Sequence, residues 1–186
     1  MTPATYRRGG AGTQIDYVIA DTSLGALLVG ATDRGVCAVT LGDSAENLEA
    51  ALKREYPAAA LTRVAASTSA LGVWVEEIVE AIDGAGSRPD VPIDVQASAF
   101  QWKVWRELQK IPFGETRSYG EIADAIGSPK AVRAVASACA NNRVAVVIPC
   151  HRVVRQSGSL GGYRWGVARK EQLLAKERAM REQSTS

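Results

Sequence analysis

His151 is the only histidine in the chain, and it directly follows a cysteine in the run Ile148-Pro149-Cys150-His151-Arg152-Val153-Val154. A thiol with an ordinary pKa of about 8.5 is a weak nucleophile at neutral pH. An imidazole within reach, directly or through a water, together with neighbouring arginines, favours the thiolate. Taken alone, a Cys-His pair is more often a small buried residue beside an ordinary histidine. This one follows the apolar run Val144 to Ile148, is fixed by Pro149 and lies in a stretch without acids, so nucleophilic chemistry at Cys150 is the better reading. Zinc is the competitor, because Cys37, Cys139, Cys150 and His151 total four candidate ligands. Structural zinc draws paired ligands from one short turn, which adjacent Cys and His do not supply. Cys37 and Cys139 are expected in the core, and no metal is expected.

The charge distribution suggests what such a thiol would meet. Residues 1 to 96 carry 7 basic and 13 acidic side chains, and residues 97 to 186 carry 15 and 7, so a net charge of +2 conceals halves of −6 and +8. No acid occurs between Asp124 and Glu171, where Lys130, Arg133, Arg143, Arg152, Arg155, Arg164, Arg169 and Lys170 all fall. A stretch of one sign attracts a polyanion, which makes nucleic acid the expected partner. With 46% hydrophobic and 23% charged residues, disorder, collagen and coiled coil are excluded. No apolar run approaches the ~20 residues of a membrane helix, and Met1 to Gly12 has no apolar core of a signal peptide. A cytoplasmic protein without membrane association is expected, its three cysteines too few for a disulfide framework.

These residues need elements to hold them. Ile15 to Ala20, Ala26 to Thr32 and Val36 to Leu41 are short apolar runs separated by turn residues, predicting a three-stranded meander. Ser44 caps a helix with Leu48, Ala51, Leu52 and Tyr56 on one face, and Leu71, Trp74, Val75, Ile78, Val79 and Ile82 mark a second. Gly84 to Pro92 reads as a linker between an α/β domain over 14–92 and a mostly helical domain over 93–186. In the latter, a helix begins at Ser98 with Phe100, Val104 and Leu108 inward, and Ser118-Tyr119-Gly120-Glu121 has the form of a capping box. Gly127 ends that helix, while Ser128 and Pro129 start the next, which is helix-turn-helix spacing. On this next helix Val132, Val135, Ala136 and Cys139 are predicted inward. Lys130, Arg133, Ala134 and Ser137 face outward, a thin basic surface suited to close approach to a duplex.

Phe100-Gln101, Val104-Trp105, Ile111 to Thr116, Ser118-Tyr119, Lys130 to Ala136, Asn141-Asn142, Ile148 to Val154 and Gly162 to Gly166 together resemble the O6-alkylguanine-DNA alkyltransferase family. The likeness covers the whole second half, and Pro-Cys-His-Arg is its most specific part. Met1 to Arg7 resembles the tail of an AraC-type DNA-binding domain, as in a piece of a longer protein or a naturally split one. The resemblance implies an α+β fold: a small ribonuclease H-like α/β domain followed by a helical domain with a winged helix-turn-helix. It also implies that Cys150 takes the alkyl group from O6 of guanine, and from O4-methylthymine, in double-stranded DNA. His151 activates the thiol through a water, Glu177 orients His151, and Asn142 braces the turn before the active-site strand.

Because O6 is buried in the base stack, the nucleotide must be extruded. Arg133 corresponds to the arginine that fills the gap, and Tyr119 to the tyrosine that crowds the target phosphate and donates toward the base. Val153, Tyr163, Arg164 and Trp165 are expected around the base, with the bulk of Trp165 disfavouring large adducts. A monomer needing no cofactor and acting once is implied. The alternatives are a non-catalytic lesion sensor, against which Cys150 speaks, and a regulatory module that reads a promoter.

Overall fold

The computed structural model describes residues 2–66, 70–84 and 88–184. Tight turns at Ser23-Leu24 and Asp33-Arg34 fold β1 (Gln14–Thr22), β2 (Gly25–Thr32) and β3 (Gly35–Gly42) into the expected antiparallel meander. Val18 lies opposite Val29, and Val29 opposite Val39. Ser44 caps α2 (Ala45–Glu55) by accepting from the Asn47 amide. Leu48, Leu52 and Tyr56 then pack with Ile15, Leu28 and Cys37 in one core. The helix α3 (Ala70–Asp83) buries Leu71, Val75, Ile78 and Ile82 at the spacing read from the sequence.

Two elements carry no sequence signal strong enough to foresee them. The five-residue α1 (Pro3–Arg7), capped by Thr2, is one. The other is β4 (Ala60–Arg63), which pairs parallel to β1 and extends the sheet to the order β3-β2-β1-β4. Its four residues are too few to show a period.

The chain divides into two units, Met1–Asp83 with Pro89–Gln96 and Arg143–Val147, and Gly84–Arg88 with Ala97–Asn142 and Ile148–Ser186. Backbone pairing explains why residues 89–96 and 143–147 count with the first. As an edge strand, β3 has donors and acceptors to satisfy. Val36 bonds the Pro92 carbonyl and the Asp94 amide, and Val39 bonds the Arg143 carbonyl and the Ala145 amide. The end of the expected linker is therefore pinned to the sheet rather than free, while Ala85, Gly86 and Ser87 within it lie outside the described residues.

In the second unit Ser98 and Gln101 form a reciprocal capping box at α4 (Ala99–Leu108), as Ser118 and Glu121 do at α5 (Tyr119–Ala125). Gly127 ends α5 at φ +68°, in the left-handed region where glycine is unstrained. The start of the next helix differs from expectation. Ser128 makes no capping bond, Pro129–Ala131 form a 3-10 turn, and α6 (Val132–Ala140) begins three residues later than the Ser128-Pro129 signal suggests. At the first position of the helix Val132 is 39% exposed, Ala136 is half-buried, and Ala138 is buried beside Val135 and Cys139. Trp105 donates to the Ala138 carbonyl at 2.9 Å, tying α4 to α6. A two-residue parallel pair, β5 (Arg117–Ser118) with β6 (Val153–Val154), and the long α7 (Val167–Ser184) complete this unit. No described helix is long and apolar enough to cross a membrane.

Candidate active site

Cys150 opens a 3-10 turn, Cys150–Arg152, between Pro149 and β6. Its side chain is 4% exposed, and His151 and Asn142 are fully buried. Asn142 follows the end of α6, and its amide donates to the Ile148 carbonyl at 2.9 Å and to the Cys150 Sγ at 3.2 Å. One side chain thus fixes the approach to the turn and holds the sulfur.

His151 Nε2 lies 2.7 Å from Glu177 Oε1 on α7. Burial alone would raise the Glu177 carboxyl, but hydrogen bonds and charge from His151 and Arg152 outweigh it and bring the group down to about 2. An ionised carboxylate only accepts, so Nε2 carries the ring proton and donates. The basic lone pair is therefore on Nδ1, a buried atom with no hydrogen-bond partner among the described residues. Burial also lowers the His151 pKa, against the pull of Glu177, so the ring rests neutral.

Arg152, which sequence reasoning left out of the site, is buried and reaches both Glu177 oxygens, with bonds at 3.0 and 3.2 Å from Nε and 3.0 Å from Nη2. Its Nη1 donates to the Ile111 carbonyl at 2.8 Å. The Gly114 amide gives Glu177 a further bond at 3.1 Å. Gly114 has φ +76°, and a Cβ there would lie 3.0 Å from the Glu177 carbonyl oxygen, so the Pro112-Phe113-Gly114 break needs glycine. Lys170 was missed as well. It is completely buried, and its Nζ donates to the Val153 and Leu160 carbonyls at 2.5 Å each. The signal was present: Lys170, Leu173, Leu174 and Glu177 fall at i, i+3, i+4, i+7, which places both charges on the buried face with the leucines.

Burial pushes the Cys150 thiol up to about 11, against the opposing effects of the Asn142 amide and the charges of Lys170 and Arg164. The sequence expectation that the imidazole and the adjacent arginines favour the thiolate meets a stronger opposing effect. Arg152 is committed to Glu177, and desolvation of the sulfur dominates. Cys150 and His151 therefore both rest neutral.

Tyr119, first residue of α5, is half-buried. Burial and the nearby Cys139 and Cys150 raise its hydroxyl to about 12, so at neutral pH it remains a donor. Val153 is fully buried, and Trp165 is buried with its ring edge-on to Tyr163 at 5.1 Å. The Tyr163 ring is partly exposed, but its hydroxyl is buried and without a partner among the described residues. Arg164 is exposed, as are Lys130, Arg133, Ala134 and Ser137 along the outer face of the Pro129–Ala140 segment. Cys37 and Cys139 are buried. Among the described residues no group of three His, Cys, Asp or Glu side chains is placed to hold a metal.

The network makes a pH prediction. The folded-state pKa of Glu177 is depressed, so its contribution is full above the unfolded value near 4.5 and is lost as pH falls toward 2. That of His151 is also depressed, so stability begins to fall once pH drops below about 6.5. Urea midpoints are expected to be flat from pH 7 to 8 and to decline in two stages below. A midpoint unchanged down to pH 4 would contradict the assignment.

Residues 99–179 match the family model described as 6-O-methylguanine DNA methyltransferase, DNA binding domain. The chain is 46% identical over 177 residues to the bifunctional transcriptional activator/DNA repair enzyme Ada of Escherichia coli, covering 95% of this chain and 49% of that protein. It is 52% identical over 104 residues to the methylated-DNA--protein-cysteine methyltransferase of Mycolicibacterium paratuberculosis, covering 56% of this chain and 63% of that one. It thus spans about half to two-thirds of the length of these curated relatives. Among solved structures, Mycobacterium tuberculosis OGT in complex with DNA superposes with a TM-score of 0.73 at 33% identity, over 89% of this chain and 94% of that chain.

Proposed function

Because this chain belongs to the O6-methylguanine-DNA methyltransferase family, we propose that it repairs alkylated duplex DNA by moving the methyl of O6-methylguanine, or of O4-methylthymine, onto Cys150. The observation that carries this reading is the buried chain from Glu177 to His151, whose basic Nδ1 has no partner among the described residues, in the residue that directly follows the buried Cys150. That is a nucleophile, a base and an orienting group in the order the chemistry requires.

The thiol gives its proton to His151 Nδ1 through one water as Sγ bonds the methyl carbon. The bond from that carbon to O6 breaks, and guanine leaves with the electron pair and takes a proton from the Tyr119 hydroxyl, which solvent restores as His151 releases the thiol's proton. The products are a methyl thioether and unmodified guanine. A thioether has no ready leaving path, so each molecule acts once and needs no cofactor. Asn142 steers the sulfur throughout.

Reaching O6 requires extrusion of the nucleotide. The exposed outer face of the Pro129–Ala140 segment supports this step: Arg133 fills the vacated stack, Lys130 meets phosphate, and Ala134 and Ser137 allow close approach. On the same reading the first unit is the ribonuclease H-like domain, α5 and α6 form a winged helix-turn-helix, and the functional domains are 14–92 and 93–186. The protein acts as a monomer in the cytoplasm. Successive additions of duplex containing O6-methylguanine should be repaired until one equivalent is consumed and then no further. Continued turnover, or binding without transfer, would overturn the proposal, the latter in favour of a lesion sensor.

Val153, Tyr163, Arg164 and Trp165 line the base site in this reading, and Trp165 sets its size. The unmodified protein is expected to repair O6-methylguanine in duplex at least tenfold faster than O6-benzylguanine. Comparable rates for the two would show that Trp165 does not restrict the pocket.

A further inference from the structure

Among the described residues Val146 alone, glycines apart, has a positive φ, at +68°. Across it the Val147 amide donates to the Ala145 carbonyl at 2.7 Å, closing a three-residue turn of the less common hand. That conformation is strained for an L side chain, and more so for a β-branched one. A second three-residue turn, of the unstrained hand, follows at Pro149 with φ −81° and ψ 59°, and the Cys150 amide donates across it to the Ile148 carbonyl at 2.8 Å. The segment bent in this way ends with the Ile148 carbonyl and the Cys150 Sγ on the Asn142 side-chain amide. A strained turn persists only where its surroundings over-determine it.

Arg143, at the start of the segment, supplies that support. Its carbonyl accepts from the Val39 amide at 2.8 Å, and the Ala145 amide donates back to the Val39 carbonyl at 3.0 Å. Its side chain is fastened as firmly. Nε donates to Glu55 Oε1, at the end of α2, at 2.5 Å, and Nη1 donates to the Gln96 carbonyl at 3.2 Å. The guanidinium lies 4.3 Å from the centre of the Tyr6 ring of α1, and the Tyr6 hydroxyl donates to the same Glu55 oxygen. With side chains 16% and 25% exposed, the Arg143–Glu55 pair is screened less than an open surface pair. Arg143 belongs to the same acid-free stretch as Lys130 and Arg133, but those two are exposed and its charge is engaged by a carboxylate.

We propose that Arg143 is a positioning residue for the transfer: paired with Glu55, it anchors the strained segment Arg143–Val147 to β3, so that Asn142, the residue before it, keeps its amide on the Ile148 carbonyl and the Cys150 Sγ. This rests on the methyl-transfer reading above. Arg143 touches no reacting atom and acts through Asn142. Without the anchor Val146 relaxes to a negative φ, the path from Asn142 to Ile148 changes direction, and the sulfur loses its donor. Arg143→Met removes the guanidinium, and Arg143→Lys keeps a cation for Glu55. Arg143→Met should slow single-turnover transfer on O6-methylguanine duplex about 10- to 100-fold, with the salt dependence of duplex binding unchanged because no phosphate contact is lost. Arg143→Lys should recover most of the rate. In an Asn142→Ala protein, where the positioned amide is already gone, Arg143→Met should cost about twofold or less. Losses that multiply would overturn the proposal, and so would a shallower salt slope, which would make Arg143 a DNA contact.

Hydrogen exchange of the Asn142 side-chain amide, followed by 15N NMR, needs no DNA, so its failure is distinguishable from failure of the repair reading. Exchange should be about tenfold faster or more in Arg143→Met. The Trp105 indole N–H, bonded to the Ala138 carbonyl in the same unit as Asn142, should exchange as in the unmodified protein. Equal acceleration at both sites would reduce Arg143 to a general tie of the fold, and unchanged exchange at Asn142 would remove the coupling; either result overturns the proposal. Should Arg143→Met not fold, Glu55→Gln keeps an acceptor and loses the charge. It should move the Asn142 exchange and the transfer rate in the same directions by about threefold or more, and no change in either would contradict the proposal.

Discussion

Cys150→Ser is expected to abolish methyl transfer from O6-methylguanine duplex, with the rate lowered at least 10⁴-fold, while lesion-containing DNA is still bound within about threefold. Serine keeps the hydroxyl within the Asn142 contact and alters little volume, so the turn Cys150–Arg152 should keep its shape. What changes is the atom. A hydroxyl is far less acidic than a thiol, and its oxygen is a much poorer nucleophile than sulfur toward a saturated methyl carbon. Single-turnover repair and a binding isotherm on the same duplex check both halves of the statement. Residual transfer in the variant would point to another acceptor, and concurrent loss of binding would mean that the substitution disturbs the fold.

The other large effect concerns Glu177. It accepts from His151, twice or more from Arg152 and once from the Gly114 amide, all in buried surroundings. Glu177→Ala leaves Arg152 as a buried cation without its anion, a loss that typically costs about 3–5 kcal/mol. It also frees His151 to rotate or adopt the other tautomer, so transfer should fall about 10²- to 10⁴-fold in whatever fraction folds. Glu177→Gln is the informative partner. It retains an acceptor for Nε2 but loses the charge, and it should recover part of the stability and less of the rate. Urea unfolding and single-turnover kinetics on both variants separate the two roles. Equal rates for Glu177→Gln and the unmodified protein would show that Glu177 serves Arg152 alone.

Much of this network was legible in the sequence, for identifiable reasons. Local signals agree with the structure where two neighbouring cues coincide: the apolar strands with their Gly-containing turns, the Ser118 cap with Glu121 three residues on, and the 3.6-residue stripe of α3; at Ser98 the helix start is legible, but its partner Gln101 is seen only in the structure. At Ser128-Pro129 one cue was present without its partner. Proline suited the first turn, but no residue completed a capping box, and the segment became a 3-10 turn that delayed α6 and exposed Val132. Pairings of distant backbone left no trace in residue type, which is why β4 and the fastening of residues 92–94 and 143–145 to β3 were invisible.

In the site, the adjacency of Cys150 and His151 drew notice, whereas Arg152 and Lys170 were counted as part of a basic surface. Their burial depends on acceptors from four places: Glu177 and Ile111 for Arg152, Val153 and Leu160 for Lys170. Only folding brings those acceptors together. A charge count cannot distinguish an exposed cation, such as Arg133, from one enclosed in the protein, such as Arg152.

Cys150 as the methyl acceptor is checked by peptide mass analysis of the protein after incubation with a duplex bearing one O6-methylguanine. One methyl group on the peptide containing Cys150, none on those containing Cys37 or Cys139, and saturation at one per molecule is the predicted result. An unmodified Cys150 peptide after the lesion DNA has been bound, or a methyl group on another residue, would contradict it.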